Sequence, residues 1–451
     1  MSRTFDLIVI GSGSAAGGVA SRCRQAGWTV AMIDKRPFGG TCALRGCDPK
    51  KVLVGAAAAL DAARALTDNG IRPDGLAIDW PALMQFKTTF TEPVPAARRE
   101  TLLRAGIDTF DGDARFVSPS QIAVGKTTLE ATRAIVIATG ARPAPLSIEG
   151  AGHVITSDDF LDLVSLPPSI AFIGGGYISL EFAHVAARAG VRVSILHRGV
   201  RPLEPFDSDL VDRLVVRTEE LGIEVRLRTE VTQVEVSGSR RRVHVRDERG
   251  ASTIDADVVV HGAGRVPDVD GLNLDAAGVH FSRAGVTVNE YLQSVSNPMV
   301  YAAGDCADTV APPLTPVAGY EGRVVASNLL EGNRITPQYG AVPSVVFTIP
   351  PLARVGLGEE EARQQGRRFR TRHEDTSGWY SSRRVGERYS AFKVLVDEDT
   401  DRILGAHLLG PHADEVINLF ALAMRAGMTA TQFKEMFWAY PTHASDTAYM
   451  I

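Results

Sequence analysis

Cysteine is scarce in this sequence. Its 451 residues contain only four cysteines, far too few for a secreted fold held together by a disulfide framework. In a reducing compartment, two cysteines that lie close together in the chain are typical of redox catalysis or of metal binding. The low number of cysteines therefore excludes a disulfide-rich secreted protein, and it makes two cysteines that lie close together in the chain the feature to examine.

Long apolar runs are lacking as well. No stretch has the length that a transmembrane helix requires. The N-terminal residues Met1–Asp6 lead directly into a short strand, without the apolar region and small-residue cleavage site of a secretory leader. The sequence therefore predicts a soluble, cytoplasmic protein with no membrane partner.

Charge of one sign is not concentrated anywhere either. The net charge is −5 and no block of like charges stands out, which argues against nucleic acid or an anionic membrane as the main partner. The apolar fraction of 45% is that of an ordinary globular protein. A chain of this length exceeds one compact core, so we expect two to four domains.

A strand, a glycine turn, a helix and a second strand follow one another at the start of the chain. The strands are Asp6–Ile10 and Thr29–Asp34, and the turn is Gly11–Ala16. Glycines let a pyrophosphate approach N–H groups at the helix start, and the carboxylate of Asp34 is placed to bind ribose hydroxyls. A plain helix start is the alternative for the turn alone, but the whole pattern favours a dinucleotide site.

The same pattern returns later, with strands Ile170–Ile173 and Val191–Leu196 around the turn Gly174–Ser179. Here His197 and Arg198 follow the second strand, where an NAD site would carry a carboxylate. Cationic donors suit the 2′-phosphate of NADP(H).

A capped surface turn is the other interpretation of Arg198. Arg201 lies nearby and adds to the positive charge, whereas Glu204 weakens the preference for NADP(H).

The close cysteine pair, Cys42 and Cys47, lies in the segment Gly39–Lys51. On an ideal helix, residues five apart have Cα atoms about 8–9 Å apart, whereas a disulfide tolerates at most about 7 Å. Pairing therefore requires a distorted turn, for which Gly46 and Pro49 provide freedom and constraint.

Two other interpretations of this pair remain open, a metal site and two buried free thiols. The remaining cysteines, Cys23 and Cys306, do not add metal ligands at a matching spacing. We expect both to be small packing residues. A redox pair is favoured because it follows an FAD-type fold directly.

These motifs, in this order, resemble the class I flavoprotein (pyridine nucleotide) disulfide oxidoreductases, the family of glutathione reductase, dihydrolipoamide dehydrogenase and mercuric reductase. The resemblance spans nearly the whole chain. It implies that Cys42 exchanges with substrate and that Cys47 lies against the flavin. It also implies that Lys51 lies near the flavin and forms an ion pair with Glu181, and that Tyr177 covers the flavin where nicotinamide stacks.

Four later segments resemble the crossing and FAD-binding segments of that family: Ala138–Gly140, Gly262–Pro267, Tyr301–Asp305 and Leu314–Ala318. The resemblance implies that Asp305 holds the ribitol chain. Each segment alone is also compatible with ordinary turn chemistry.

The expected cofactors are FAD and NADPH, with NADH as the alternative nucleotide, and no metal. We expect the cofactor contacts at Gly11, Ser12, Gly13, Ser14, Ala15, Asp34, Lys35, Gly40, Thr41, Ala114, Thr139, Gly140, Gly174, Gly176, Tyr177, Ile178, His197, Arg198, Gly264, Asp305, Thr315 and Pro316.

The C-terminal segment departs from the family pattern. Where most members carry a histidine that serves the exchanging thiol as acid and base, this chain has Tyr440. A phenol titrates near pH 10, so it is a poor base but can donate a proton. His443 and Asp446, three residues apart, are an alternative acid–base pair, and simple packing at an interface is the third interpretation.

The acceptor also stays open because other family features are missing. The C-terminal cysteine pair of mercuric reductase is absent. Asp48 and Lys50 occupy positions where the family usually has an apolar residue and a small hydroxyl residue.

The predicted fold class is α/β, with two Rossmann-like dinucleotide-binding domains and a C-terminal α+β dimerisation domain. We expect an FAD domain at residues 1–147 and 266–337, an NAD(P) domain at 148–265 and the dimerisation domain at 338–451.

The predicted activity is NADPH-dependent reduction, through FAD and a Cys42–Cys47 disulfide, of a small-molecule or small-protein disulfide by a homodimer. The catalytic candidates are Cys42, Cys47, Lys51, Glu181, Tyr440 and His443. The alternatives are a flavin reductase of a quinone or metal ion, and a non-catalytic nucleotide-binding redox sensor.

Overall fold

The computed structural model describes residues 2–451. The chain forms two compact units. The first unit contains the chain up to Pro49 together with Phe86–Ala144 and Gly264–Tyr339, and the second contains Lys50–Gln85, Pro145–Ala263 and Gly340–Ile451.

The α-helices are distributed over the whole chain. They are α1 Ser14–Gln25, α2 Gly40–Arg45, α3 Cys47–Ala65, α4 Trp80–Thr91, α5 Val94–Arg104, α6 Ser157–Phe160, α7 Tyr177–Arg188, α8 Ser208–Glu220, α9 Thr315–Glu331, α10 Glu359–Gln364, α11 Tyr380–Arg383, α12 Ala413–Ala426 and α13 Ala430–Lys434.

The strands are given in chain order. They are β1 Ser2–Ile10, β2 Val30–Asp34, β3 Ile107–Asp111, β4 Ala114–Ser118, β5 Gln121–Val124, β6 Thr127–Ile137, β7 Ala141–Pro143, β8 Ser169–Ile173, β9 Arg192–Leu196, β10 Glu224–Arg226, β11 Glu230–Ser237, β12 Arg240–Asp247, β13 Gly250–Ala256, β14 Val258–His261, β15 Arg265–Pro267, β16 Phe281–Ser282, β17 Gly285–Thr287, β18 Val300–Ala302, β19 Ala307–Asp308, β20 Ser344–Val346, β21 Leu352–Gly356, β22 Phe369–Asp375, β23 Ala391–Asp397 and β24 Ile403–Leu409.

The first unit is organised around a seven-stranded sheet in the order β3-β2-β1-β6-β5-β4, with β18 also paired to β6. Strands β3, β2, β1, β6 and β18 are parallel. Leu7, Ile8 and Val9 on β1 are fully buried, because a parallel sheet has both faces covered. The first glycine turn therefore lies at the carboxyl end of a central strand.

The second unit contains a four-stranded parallel sheet in the order β10-β9-β8-β14 and an antiparallel sheet β11-β12-β13. Its C-terminal part is a five-stranded antiparallel sheet in the order β20-β21-β24-β23-β22. Helix α12 packs its buried residues Val416, Ile417 and Phe420 in the core of that part. The prediction of two parallel dinucleotide folds and an α+β C-terminal part is confirmed.

Helices α4 and α5 follow each other closely in the chain and are separated at Pro93. A proline cannot donate the backbone hydrogen bond that would continue a helix. The last helix, α13, ends at Lys434.

None of the helices within residues 2–451 combines the length and the apolar character needed to cross a lipid bilayer.

Candidate active site

The first glycine turn joins β1 to α1 by close packing of backbone on backbone. Gly11 has φ +109°, and a Cβ atom there would overlap the carbonyl of Ala138. A Cβ atom on Gly40 would lie 2.5 Å from the Cα atom of Gly13. Helix α1 begins at Ser14 without a side-chain cap, so its first N–H groups suit an anionic ligand such as a pyrophosphate.

Asp34 lies at the end of β2, beside this turn. Its Oδ2 atom accepts a 2.6 Å hydrogen bond from Ser12 Oγ, and its Oδ1 atom accepts one of 2.9 Å from the N–H of Arg36. An open cleft of about 550 Å³ next to it is lined by Lys35, Arg36, Phe38 and Arg99, among others. Lys35 also forms a 2.8 Å ion pair with Asp268.

The other predicted flavin residues of the first unit lie at strand ends and helix starts. Thr139 and Gly140 follow β6, and Gly140 has φ +69°. Burial raises the pKa of Asp305, and the charge of Arg265 opposes that effect. A half-buried carboxyl group with this environment suits a ligand rich in hydroxyl groups.

The turn before Asp305 is held by a buried carboxylate. The N–H of Gly304 donates a 2.6 Å hydrogen bond to Glu321, which is buried in α9. A Cβ atom on Gly322 would overlap the backbone of Ala15 in α1. Together with the first glycine turn, these contacts form a backbone cradle that fits FAD. Ala114, also predicted to contact the cofactor, begins β4 and is buried in the core of this unit.

Cys42 and Cys47 lie on two different helices. Helix α2 ends at Arg45 and α3 begins at Cys47, because Gly46 takes non-helical angles of φ −140° and ψ −116°. The two thiols are in hydrogen-bonding contact and are not bonded to each other. The predicted distortion between the two cysteines is therefore present.

Helix α9 places one residue, Thr315, beside the two cysteines. The Oγ1 atom of Thr315, its first residue, lies 3.6 Å from the Sγ atom of Cys47. Cys47 is exposed and Cys42 is half-buried, so the pair is accessible for thiol exchange. Thr315 and Pro316, which the sequence predicts to contact the flavin, are the first two residues of α9.

Burial separates the close pair of cysteines from the other two, whereas a thiol with a raised pKa occurs in both groups. A hydrogen bond with Cys47, then burial, and then the charges of Cys47 and Asp48 hold the pKa of Cys42 above its usual range. Burial raises the pKa of Cys23 and of Cys306 to about 11. Both are fully buried in apolar cores, in keeping with their expected packing role.

The lysine assigned to the flavin ion pair was wrong by one position. Lys50, not Lys51, forms the ion pair with Glu181. The Oε1 atom of Glu181 also accepts a 2.7 Å hydrogen bond from the N–H of Phe347. Lys51 instead lies over the ring of Phe347, 3.6 Å from its centroid, and its Nζ atom is 3.7 Å from Asp414.

The physical reason is the helical period. Successive residues of α3 point about 100° apart, so only one of two neighbouring lysines can face Glu181. The ion pair is buried, with side-chain exposures of 11% for Lys50 and 1% for Glu181.

The second glycine turn is built like the first. Gly174 has φ +106°, and a Cβ atom there would lie 2.5 Å from the carbonyl oxygen of Gly262. Helix α7 starts at Tyr177, after Gly176, and has no side-chain cap. Tyr177 is exposed, and Lys50 Nζ lies 5.2 Å from its ring centroid. The turn therefore fits a second dinucleotide, with an aromatic ring beside it.

His197 is engaged by the protein itself. Its Nδ1 atom accepts a 3.1 Å hydrogen bond from the N–H of Gly175, and its Nε2 atom donates one of 2.9 Å to the carbonyl of Arg201. The side chain of Arg201 pairs with Asp212 at 2.8 Å. Arg198 is exposed and is the predicted 2′-phosphate donor with a side chain available to a ligand.

The predicted acid–base pair of His443 and Asp446 does not form. The Nε2 atom of His443 is buried without a hydrogen-bond partner among residues 2–451, and its ring lies 4.9 Å from that of His412. Burial, His412 and Arg384 lower the pKa of His443 to about 4. Asp446 instead forms a side-chain hydrogen bond with Ser381.

These two residues line a cavity of about 40 Å³ in the C-terminal part. Tyr440 lies at the surface and is 81% exposed, and Phe437 is fully exposed. Of the C-terminal interpretations, the His443–Asp446 pair is wrong, and Tyr440 is exposed whereas His443 is half-buried.

Comparison with protein families assigns most of the chain. Residues 5–322 match the family described as pyridine nucleotide-disulphide oxidoreductase, and residues 342–450 match the dimerisation domain of the same family. The chain belongs to the pyridine nucleotide-disulphide oxidoreductases. It is therefore an NAD(P)H-dependent flavoprotein oxidoreductase acting on a sulfur group, and the dimerisation domain supports a homodimer.

Individual relatives agree with this assignment. The chain is 34% identical over 450 residues to glutathione reductase of Burkholderia cepacia, covering 98% of this chain and 97% of the relative. It is 31% identical over 444 residues to mercuric reductase of Staphylococcus aureus, covering 98% and 80%.

A solved structure is also similar. The Cu(II) complex of the HOCl-induced flavoprotein disulfide reductase RclA from Escherichia coli superposes with a TM-score of 0.89, at 27% identity and over 99% of both chains. The predicted resemblance and the fold class are thus confirmed.

Proposed function

We propose that this oxidoreductase passes electrons from NADPH, through FAD and a Cys42–Cys47 disulfide, to a small-molecule or small-protein disulfide in the cytoplasm. The observation that carries the proposal is the contact of the two thiols with each other and with Thr315 at the start of α9. In the proposed domain division, FAD is held by residues 1–147 and 266–337, and NADPH by 148–265. Residues 338–451 join two subunits.

FAD, when bound, supplies two-electron transfer between the nicotinamide and the thiols. The residues of the first glycine turn and Asp305 would hold it. The buried ion pair of Lys50 and Glu181 would fix a positive charge at a defined position, which suits stabilisation of charge developing on a cofactor. Tyr177 would lie where nicotinamide stacks.

The sulfur chemistry follows ordinary thiol–disulfide exchange. The thiolate of Cys42 attacks one sulfur of the acceptor, forms a mixed disulfide and expels the first thiol. Cys47 then attacks Cys42, releases the second thiol and restores the Cys42–Cys47 bond. One acceptor disulfide and two protons thus yield two thiols, and the two electrons come from NADPH.

An acceptor screen tests the proposal. Anaerobic titration with NADPH and with NADH should show which nucleotide reduces the purified protein, and steady-state NADPH oxidation should be followed with disulfides, quinones and Cu(II). We expect turnover with at least one disulfide. Turnover that is restricted to quinone or metal would overturn disulfide reduction, and arrest after a single reduction would indicate a sensor.

Reduction of a metal ion is the second candidate. Tyr440 at the position of the family histidine, together with the similarity to a protein crystallised as a Cu(II) complex, favours its inclusion in the screen. Within residues 2–451, no group of three or more His, Cys, Asp or Glu side chains is arranged to hold a metal ion. A metal would therefore act as a substrate.

The preference for NADPH should depend on Arg198. In Arg198→Ala the KM for NADPH should rise about tenfold, because one charge-assisted contact to the 2′-phosphate is lost, while the KM for NADH should stay unchanged. Arg201→Ala is the matched control, since Arg201 already pairs with Asp212. Equal changes for both nucleotides in Arg198→Ala would contradict this assignment.

The proposed proton donor to the acceptor is Tyr440. Tyr440→Phe should lower kcat/KM for disulfide acceptors about 100-fold, the usual effect of removing a general acid, without changing NADPH-dependent flavin reduction. His443→Gln should leave kcat/KM nearly unchanged, because His443 lines a small cavity of the C-terminal part and is less exposed than Tyr440. The reverse pattern would assign the role to His443.

A further inference from the structure

Two residues of the segment Gly39–Lys51, Asp48 and Lys50, depart from the family pattern, and the ion pair between Lys50 and Glu181 gives no role to Asp48. Lys50, the other unusual residue of this segment, is accounted for by its contact with Glu181. Asp48 is exposed in the first turn of α3, directly after Cys47. Its Oδ1 atom lies 3.9 Å from the Sγ atom of Cys42, whose S–H group donates to it.

Asp48 is the charged side chain that acts most directly on the Cys42 thiol. The groups acting most strongly on Cys42 are Cys47, Thr315 and Asp48, and none of the three is a cation. A carboxylate at this distance opposes ionisation of the thiol, and it also acts on any charged acceptor that approaches the same sulfur.

We propose that Asp48 is a specificity-determining residue that selects neutral or cationic acceptors against anionic disulfides. The inference rests on the proposed disulfide exchange at Cys42. A carboxylate in the first turn of a helix also stabilises the helix dipole, but that effect is independent of the charge of the acceptor. The charge of the acceptor therefore separates the two roles.

The first test uses the holoenzyme and three disulfides of different charge. These are cystamine with two positive charges, neutral dithiodipyridine, and dithiobis(nitrobenzoate) with two negative charges. Relative to dithiodipyridine, Asp48→Asn should raise kcat/KM for dithiobis(nitrobenzoate) about twofold and lower it for cystamine about twofold, as expected for charges roughly 8 Å apart in water, since the charge of each acceptor lies several bonds from the attacked sulfur. Asp48→Glu should retain the order of the wild type.

The matched control is Asp68→Asn. Asp68 is an exposed carboxylate in the first turn of a short 3₁₀ helix, Thr67–Asn69, so its removal changes the net charge equally. We expect the acceptor order to stay unchanged in this variant. The proposal would be overturned if Asp48→Asn changed kcat/KM for all three disulfides by the same factor. It would also be overturned if Asp68→Asn had the same effect as Asp48→Asn.

The second test does not depend on turnover. Reduced holoenzyme is alkylated with neutral iodoacetamide or anionic iodoacetate, and trypsin cleavage after Arg45 places Cys42 and Cys47 on separate peptides. The iodoacetate-to-iodoacetamide rate ratio at Cys42 should rise about fivefold in Asp48→Asn. An unchanged ratio overturns the role of Asp48. Failure of every disulfide as a substrate overturns the proposed function instead and leaves this ratio interpretable.

Discussion

Cys42→Ser should abolish the reduction of disulfide acceptors while leaving the reduction of the bound flavin by NADPH intact. Loss of a nucleophile that no other group replaces lowers turnover by about 10⁴-fold or more. The nucleotide cradles do not involve Cys42, and flavin reduction is followed by the loss of its visible absorbance. Cys47→Ser should also stop turnover, but after the first acceptor thiol has been released, because the mixed disulfide on Cys42 is no longer resolved.

The control for this experiment is Cys23→Ala. Cys23 is fully buried in the core of the first unit, without a disulfide partner. We expect full turnover and a small loss of stability from the missing sulfur. Wild-type rates with disulfides in Cys42→Ser would refute the role of the pair. Retained turnover with quinones alone would assign the activity to the flavin.

Lys50→Met should be the most destabilising of these substitutions and Lys51→Met one of the mildest. Removing Lys50 leaves the carboxylate of Glu181 buried without its ion-pair partner, which costs about 3–5 kcal/mol of the free energy of unfolding. Lys51 makes a looser contact with Asp414 and is 43% exposed, so its loss should cost about 0–1 kcal/mol. Urea denaturation of the two variants side by side measures the difference.

A second substitution should restore the stability of the Lys50 variant. In Lys50→Met with Glu181→Gln, the amide oxygen still accepts the hydrogen bond of Phe347 and no buried charge remains. Recovery of most of the lost free energy would confirm the ion pair as the cause. Equal destabilisation by Lys50→Met and Lys51→Met would show that the ion pair contributes little.

The Lys50 and Lys51 variants also test whether Lys50 contributes to electron transfer. If Lys50 stabilises charge on the cofactor, the repaired double variant should fold normally and still reduce its flavin slowly with NADPH. A normal rate in that variant would restrict the ion pair to a structural role. Lys51→Met should retain the wild-type rate, because Lys51 lies against Phe347.

Much of the fold was predictable because its signals are local. The two glycine turns follow buried strands at the expected spacing, and backbone packing at Gly11 and Gly174 requires residues without a Cβ atom. The requirement for a break between Cys42 and Cys47 followed from helix geometry, and Gly46 provides it. Such features depend on a few neighbouring residues and on fixed bond geometry.

The candidate site was less predictable because its contacts join distant parts of the chain. Which of Lys50 and Lys51 meets Glu181 depends on where α3 begins, to within one residue. His197 was expected to face a nucleotide phosphate, but the N–H of Gly175 and the carbonyl of Arg201 occupy both ring nitrogens. Neither of these contacts can be predicted from the residues that are neighbours in the sequence.

The sequence by itself predicted the two dinucleotide folds and the close cysteine pair, because residue type and spacing are sufficient for each. Only the tertiary structure decided that His443 lines a small cavity while Tyr440 is exposed, and that Asp48 approaches Cys42. The reason is that direction and burial of a side chain are set by packing between helices and strands that are separate in the chain.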